Sequence, residues 1–119
     1  MTSHTQKIAV YRHDDHELLG YITEDTGSWL AQTIFGYTIE RTVSREAAEA
    51  VVQERGLSFL TGVWQYFDTD DHAWFSCVLK EANQRGVTVL RTNEMGFQDP
   101  DDYKTVTLVN PTDENLIKS

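Results

Sequence analysis

The chain has 119 residues and a formal net charge of −9, with 39% hydrophobic and 11% aromatic residues. This length fits one domain or two closely packed halves, and the composition excludes an intrinsically disordered protein. The acidic charge argues against binding to nucleic acid or to anionic membranes, because both attract Lys and Arg side chains.

Three strands open the chain. Apolar side chains recur at alternate positions in residues 7–12, and two further apolar runs, 17–23 and 28–35, follow after short polar turns. Gly20 lies inside the second run, where a glycine indicates a bulge or a close approach of another backbone. The sequence therefore predicts an antiparallel sheet in the first half.

One helix is predicted after these strands, between Ser44 and Gly56. Ser44 is a suitable N-cap, and Gly56 suits a left-handed stop at the carboxyl end. Apolar side chains at helical spacing form one stripe, made of Ala47, Ala48, Val51 and Val52. We expect this stripe to cover one face of a sheet.

The second half is again rich in strands. Strands are predicted within 57–67 and over 73–82, 87–92 and 103–109. The loop 93–102 is long and acidic, and the polar tail 111–119 is expected to fray. The sequence predicts an α+β, mostly antiparallel fold of order βββ-α-ββββ, with one helix packed on a sheet. We predict a single domain, 1–119, made of a βββα half (1–56), an antiparallel half (57–110) and the tail.

Four segments of the second half carry a family resemblance. In order they read GVWQYF, DDHAWFSCVLKEA, GVTVLRT and NEMGFQD. Residues 62–109 thereby resemble Tudor and SH3-like small β-barrels. The resemblance implies a barrel whose aromatic wall and nearby acid hold a methylated cation or a proline-rich peptide. Carried over by position, the wall is Trp64 or Tyr66, Trp74 and Phe97, and the acid is Asp99.

The alternative interpretation of these aromatic residues is structural. Buried aromatic side chains dominate the cores of small β proteins, which predicts Trp64 and Trp74 in the core. The sequence favours this interpretation over a ligand-binding wall.

Two Asp-Asp-His turns, within residues 13–16 and 68–72, offer candidate metal ligands. Their spacing matches no metal motif: DTDDHAWF begins like a calcium loop but has Ala73 where the glycine turn belongs. Cys77 lies within an apolar strand, which is typical of an inert buried thiol. We therefore predict a non-catalytic protein without metal or cofactor, and a metal-binding protein or enzyme at the His/Asp turns is the second alternative.

No targeting or membrane segment is evident in the sequence. Residues 1–10 lack the basic and apolar regions of a secretory leader, and no apolar run approaches the roughly 20 residues of a membrane helix. A lone cysteine excludes an internal disulfide. These features predict a cytoplasmic protein.

Acidic residues of the second half are expected to gather at one end. Antiparallel strands alternate in direction, which places turn 68–72 and loop 93–102 together. The same counting places turn 13–16 at that end as well, if the helix packs antiparallel to the third strand and the two β regions stay roughly aligned; orthogonal packing would separate the two acidic ends. The predicted partner-binding residues are Asp68, Asp70, Asp71, Phe97, Asp99, Asp101 and Asp102.

An acidic rim around an apolar residue is a common interface composition. The sequence therefore predicts a protein-interaction module of the inhibitor, immunity or accessory type that binds a basic protein surface. A small-ligand or peptide-binding barrel with the aromatic wall described above is the first alternative.

Overall fold

The structure, a computed structural model, describes residues 7–98, 100–102 and 104–119. This part of the chain has one α-helix and two antiparallel sheets of four and five strands, which confirms the predicted α+β class. Two compact units meet in sequence between Leu60 and Thr61. No helix in the described ranges is long and apolar enough to cross a bilayer.

The first unit is a four-stranded meander followed by a helix. Its sheet has the order β1-β2-β3-β4. The elements are β1 (Lys7–Tyr11), β2 (Leu18–Asp25), β3 (Ser28–Gln32), β4 (Thr38–Thr42), α1 (Arg45–Arg55) and a short 3-10 helix (Ser58–Leu60).

The strand β4 is absent from the sequence-based prediction. The prediction extends the third strand to Phe35, but a tight turn begins at Thr33. The Thr33 N–H donates to the Tyr37 oxygen, and the Thr33 oxygen accepts from the Gly36 N–H. The signal of β4 is weak because Glu40 and Arg41 occupy its centre. This additional strand lies between β3 and α1, where the prediction had a direct connection.

The helix α1 packs on this sheet as predicted. The Ser44 hydroxyl accepts a hydrogen bond from the Ala47 N–H at 3.1 Å, which confirms the N-cap. Ala48 and Val52 are fully buried, while Val51 is partly buried at the edge of the same cluster. The buried cluster consists of Val10, Leu19, Ile22, Ala31, Ala48 and Val52.

Two glycines allow the close packing of helix and sheet. A Cβ on Gly20 would lie 2.2 Å from the Gln32 carbonyl oxygen, and the register of β1 and β2 shifts beside it, which confirms the predicted close approach and bulge. Gly56 is not left-handed, contrary to the prediction, since its φ is −52°. A Cβ there would lie 2.4 Å from the Leu19 oxygen, so contact with β2 explains this glycine.

The second unit contains one five-stranded antiparallel sheet. Its strands are β5 (Trp64–Asp68), β6 (Ala73–Ala82), β7 (Gly86–Arg91), β8 (Thr105–Val109) and β9 (Leu116–Lys118), in the order β8-β7-β6-β5-β9. Six residues connect the two outermost strands.

The carboxyl-terminal tail forms a strand, contrary to the prediction that it frays. β9 pairs antiparallel with β5, and the Leu116 side chain is fully buried opposite Tyr66. Hydrogen bonds between Thr112 and Asn115 close the turn that leads into the strand. A three-residue strand is too short for hydrophobic periodicity to reveal.

Alternation along the strands separates a buried inner face from an outer face. Trp64 and Tyr66 of β5 are fully buried, as is Cys77 of β6, while Trp74 stands on the outer face. Burial raises the pKa of the Cys77 thiol to about 12. This confirms that Cys77 is buried and disfavours its thiolate.

Candidate interaction surface

Two acidic loops of the second unit meet at one end of its sheet. The β5–β6 turn supplies Asp71, and the loop between β7 and β8 supplies Asp102. Both carboxylates bind the guanidinium of Arg91, each at 3.0 Å. The predicted proximity of these two loops is therefore confirmed, and Arg91 is the residue that joins them.

Arg91 ends strand β7 and is buried, with 6% of its side chain exposed. Its Nη2 also donates to Asp68 at 2.9 Å, and its Nε donates to the Tyr66 hydroxyl at 2.9 Å. The guanidinium lies 3.6 Å from the centroid of the Phe75 ring, within cation–π range. Burial alone would lower the pKa of Arg91, but hydrogen bonds to its acidic and phenolic partners raise it overall.

Asp68 is a buried member of this network, with 3% of its side chain exposed. One carboxylate oxygen accepts from the backbone N–H groups of Asp70 and Asp71, at 2.9 and 3.2 Å. The other accepts from the Tyr66 hydroxyl at 3.1 Å and lies 2.7 Å from Lys104 Nζ. Asp68 therefore holds the turn in place and is not available to a partner, which corrects its predicted role.

Stability is expected to decrease in acid because of Asp68. Burial raises the pKa of this carboxyl, but hydrogen bonds from Lys104, the turn backbone and Tyr66 outweigh it and lower the pKa below its usual 3.8. Because the pKa is lower in the folded state than in the unfolded state, the ionised carboxylate stabilises the fold above about pH 4. This contribution decreases as the pH falls toward the folded-state pKa. The free energy of unfolding in urea should therefore differ between wild type and Asp68→Asn, and this difference should narrow from about pH 7 to about pH 3. A difference that stays constant would contradict this role.

The remaining predicted acids lie at the surface. Asp70 is 82% exposed and lies 3.3 Å from Lys104, and Asp102 is 57% exposed despite its bond to Arg91. Asp71 and Asp101 are also exposed, and Asp99 lies outside the described residues. We call the surface formed by Asp70, Asp71, Asp101 and Asp102 the acidic end.

A compact turn of the β7–β8 loop, residues 93–97, presents two apolar side chains to solvent. The Asn93 side-chain oxygen accepts from the N–H groups of Met95 and Phe97, at 2.9 and 3.0 Å. Backbone bonds from Asn93 to Phe97 and from Gly96 to Asn93 close the same turn. Met95 is 77% and Phe97 65% exposed, so the turn holds both side chains toward solvent.

The predicted aromatic wall does not form as a unit. Trp64 and Tyr66 are core residues, and their rings lie near the protein's own Lys118 and Arg91. Trp74, expected in the core, is 42% exposed on the outer face, where it packs edge-on against Phe67 at 5.7 Å. Trp74 and Phe97 are therefore the two predicted wall residues that solvent reaches.

A polar cleft of about 430 Å³ lies on the outer face beside Trp74. Glu94, from the turn that carries Met95 and Phe97, also contributes to its lining. An indole face near a carboxylate is a combination that attracts cations. The cleft is lined by Gln65, Trp74, Phe75, Ser76, Glu94 and Ser119.

The two Asp-Asp-His turns have a structural explanation. His16 and His72 each adopt positive φ, 57° and 50°, at the end of their turns. Asp15 pairs with Arg12 at 3.0 Å, so it neutralises a cation of its own turn. Within the described ranges, no group of three His, Cys, Asp or Glu side chains is arranged to hold a metal ion.

Sequence reasoning missed Arg91 and Lys104, which organise the acidic end. The available signal was a lone arginine at the end of a β-strand between two acidic loops, where carboxylates require an internal counter-charge. A search for similar proteins found no matching family model, curated protein or solved structure.

Proposed function

We propose that the chain is a non-catalytic protein-interaction module of the inhibitor, immunity or accessory type. Its acidic end binds a basic protein surface. The observation that carries this proposal is the turn 93–97, which holds Met95 and Phe97 in solvent on the same β7–β8 loop that carries the exposed Asp101 and Asp102. Its cytoplasmic location, inferred from sequence, stays a prediction.

Order in the turn supports binding through Met95 and Phe97. Exposing two large apolar side chains is unfavourable for an isolated protein, and a partner that covers them recovers that free energy. The Asn93 hydrogen bonds fix the turn before binding, which lowers the entropy lost on association. Apolar side chains then supply affinity, and the surrounding carboxylates supply orientation.

Electrostatics favour a basic partner. The carboxylates that meet there outnumber the two bases that pair with them, since Arg91 and Lys104 face Asp68, Asp70, Asp71 and Asp102. The whole chain carries a net charge of −9, which speeds association with a positive surface at low ionic strength.

Two variants test the proposal without unfolding the protein. Phe97→Ala and the double variant Asp70→Lys/Asp101→Lys change exposed side chains, so we expect each substitution to alter stability by less than about 1 kcal/mol. A basic protein captured from cell extract by immobilised wild-type chain, then purified, should bind wild type in calorimetry. Affinity should decrease about tenfold or more with either variant, and also as salt rises from roughly 50 to 300 mM.

Val43→Ala is the matched control, since Val43 is an apolar residue of the first unit with 91% exposure. This variant should bind the purified partner like wild type. Unchanged binding by Phe97→Ala and by the double lysine variant would show that the acidic end is not the interface.

The cleft beside Trp74 favours a second candidate function, the recognition of a cationic ligand or peptide. Here Trp74 and Glu94 would provide the contacts, in place of the buried Trp64 and Tyr66. Trp74→Ala separates the candidates in the same calorimetric measurement. Binding that depends on Trp74 but not on the acidic end supports the cleft.

A further inference from the structure

Strand β8 is an edge of the second sheet. It pairs with β7 on one side, and in the described part of the chain no other strand pairs with it. Two backbone hydrogen bonds of 2.8 Å define how it faces β7: Arg91 N–H donates to the Lys104 oxygen, and Asn110 N–H donates to the Arg85 oxygen. These bonds flank the strand at both ends.

The alternating bond pattern of the ladder then gives the direction of each backbone N–H and C=O group in β8. Hydrogen-bonded pairs alternate with non-bonded pairs along an antiparallel ladder. Val106 and Leu108 therefore direct their N–H and C=O groups to β7, in an uninterrupted register. Thr105, Thr107 and Val109 direct theirs away from the sheet, and their side chains are exposed.

The edge at β8 differs from the other three sheet edges. β1 carries Lys7, β4 carries Glu40 and Arg41, and β9 is only three residues long and carries Lys118. Charges and short strands protect natural edges against pairing with another chain. β8 reads TVTLV, without a charge and with residues of high strand propensity.

We propose that β8 pairs with β8 of a second copy of this chain, antiparallel about a twofold axis at Thr107. Thr105 then lies opposite Val109 of the second copy, and Thr107 lies opposite its own counterpart. Every outward N–H and C=O of Thr105, Thr107 and Val109 finds a partner in this register. A twofold contact of this kind closes on itself, so it gives a dimer rather than a filament.

Charge favours the antiparallel arrangement over the parallel one. Asp101 and Asp102 precede β8, so a parallel pair would bring two acidic ends side by side. In the antiparallel pair these ends lie more than about 13 Å apart, beyond the Debye length of about 8 Å at physiological salt. The pairing also covers Val109, which is 70% exposed beside an apolar cleft of about 240 Å³.

Sedimentation velocity of the full chain from about 5 to 500 μM tests the proposal, because a single strand pair gives a weak dimer. We expect dimer to increase with protein concentration and with salt, since salt screens the repulsion between two chains of charge −9. Amide exchange should slow at Thr105, Thr107 and Val109 as dimer forms. Val106 and Leu108 should be protected already in the monomer.

Thr107→Pro removes an outward N–H without removing a bond to β7, and Val109→Lys adds an edge charge; both should remain monomeric. Val43→Lys, the same substitution on an exposed valine of the first unit, should dimerise like wild type. If Thr107→Pro does not fold, the oligomeric state of Val109→Lys in the same sedimentation measurement tests the proposal.

The proposal is wrong if wild type stays monomeric at the highest concentration or if Val109→Lys dimerises equally. If the chain stays monomeric and the three outward amides are protected only by an added strand-forming peptide of unrelated sequence, the edge accepts a foreign strand instead. Binding to a basic partner weakens with salt whereas this dimer strengthens, so the failure of either proposal is distinguishable from that of the other.

Discussion

Replacing Arg91 by methionine should lower the free energy of unfolding by about 3–5 kcal/mol, since removing one partner of a buried ion pair leaves the other buried and uncompensated. The substitution removes the bonds to Asp68, Asp71 and Asp102 and the contact with Phe75. Lys104 remains 2.7 Å from Asp68, which places the expected loss toward the lower part of this range. Urea unfolding followed by tryptophan fluorescence measures the change.

Arg85→Met is the matched control, because Arg85 belongs to the same unit but has an exposed side chain. It should change stability by no more than about 0.5 kcal/mol. Asp68→Asn combined with Arg91→Met should cost less than the sum of the single substitutions, as expected for residues that contact each other. Equal losses for Arg91→Met and Arg85→Met would show that the network does not hold the two loops together.

Val52→Asp should destabilise the first unit by on the order of 4 kcal/mol, because it places an unpaired carboxylate in a fully buried position of α1. Val51→Asp should cost less, since Val51 is partly buried beside the same cluster. Ala50→Asp, on the exposed side of the helix, should cost under about 1 kcal/mol. Thermal or urea unfolding of the three variants gives the order directly.

The order Val52, Val51, Ala50 depends on the direction of the apolar stripe. If Val51→Asp destabilised more than Val52→Asp, the helix would have to be rotated about its axis relative to the sheet described above. Far-UV circular dichroism of each folded variant separates such a rotation from a loss of helix.

The local signals of the sequence were sufficient for much of the fold. Helical spacing and the Ser44 cap predicted α1 almost to its ends, and alternation predicted β5 to β8 and the buried Cys77. Hairpin topology alone predicted that the loops around Asp71 and Asp102 lie together. These features depend on near neighbours in the chain, so periodicity and turn residues are enough to reveal them.

The tertiary structure decided features that require distant residues. β4 and β9 are short or charged strands, and pairing with β3 and β5 stabilises them more than their own sequence does. Gly56 is required by the backbone of β2 rather than by a left-handed helix end.

At the acidic end, only the tertiary structure determines which aspartates are buried. Sequence shows six aspartates near two loops but not which of them face inward. Only the fold brings Arg91, 23 residues from Asp68, into a 2.9 Å bond with it, so Asp68 becomes a buried structural residue. Asp70 and Asp102 stay exposed at the surface although each pairs with Lys104 or Arg91, and the Asn93 turn exposes Met95 and Phe97 on the same loop as Asp102.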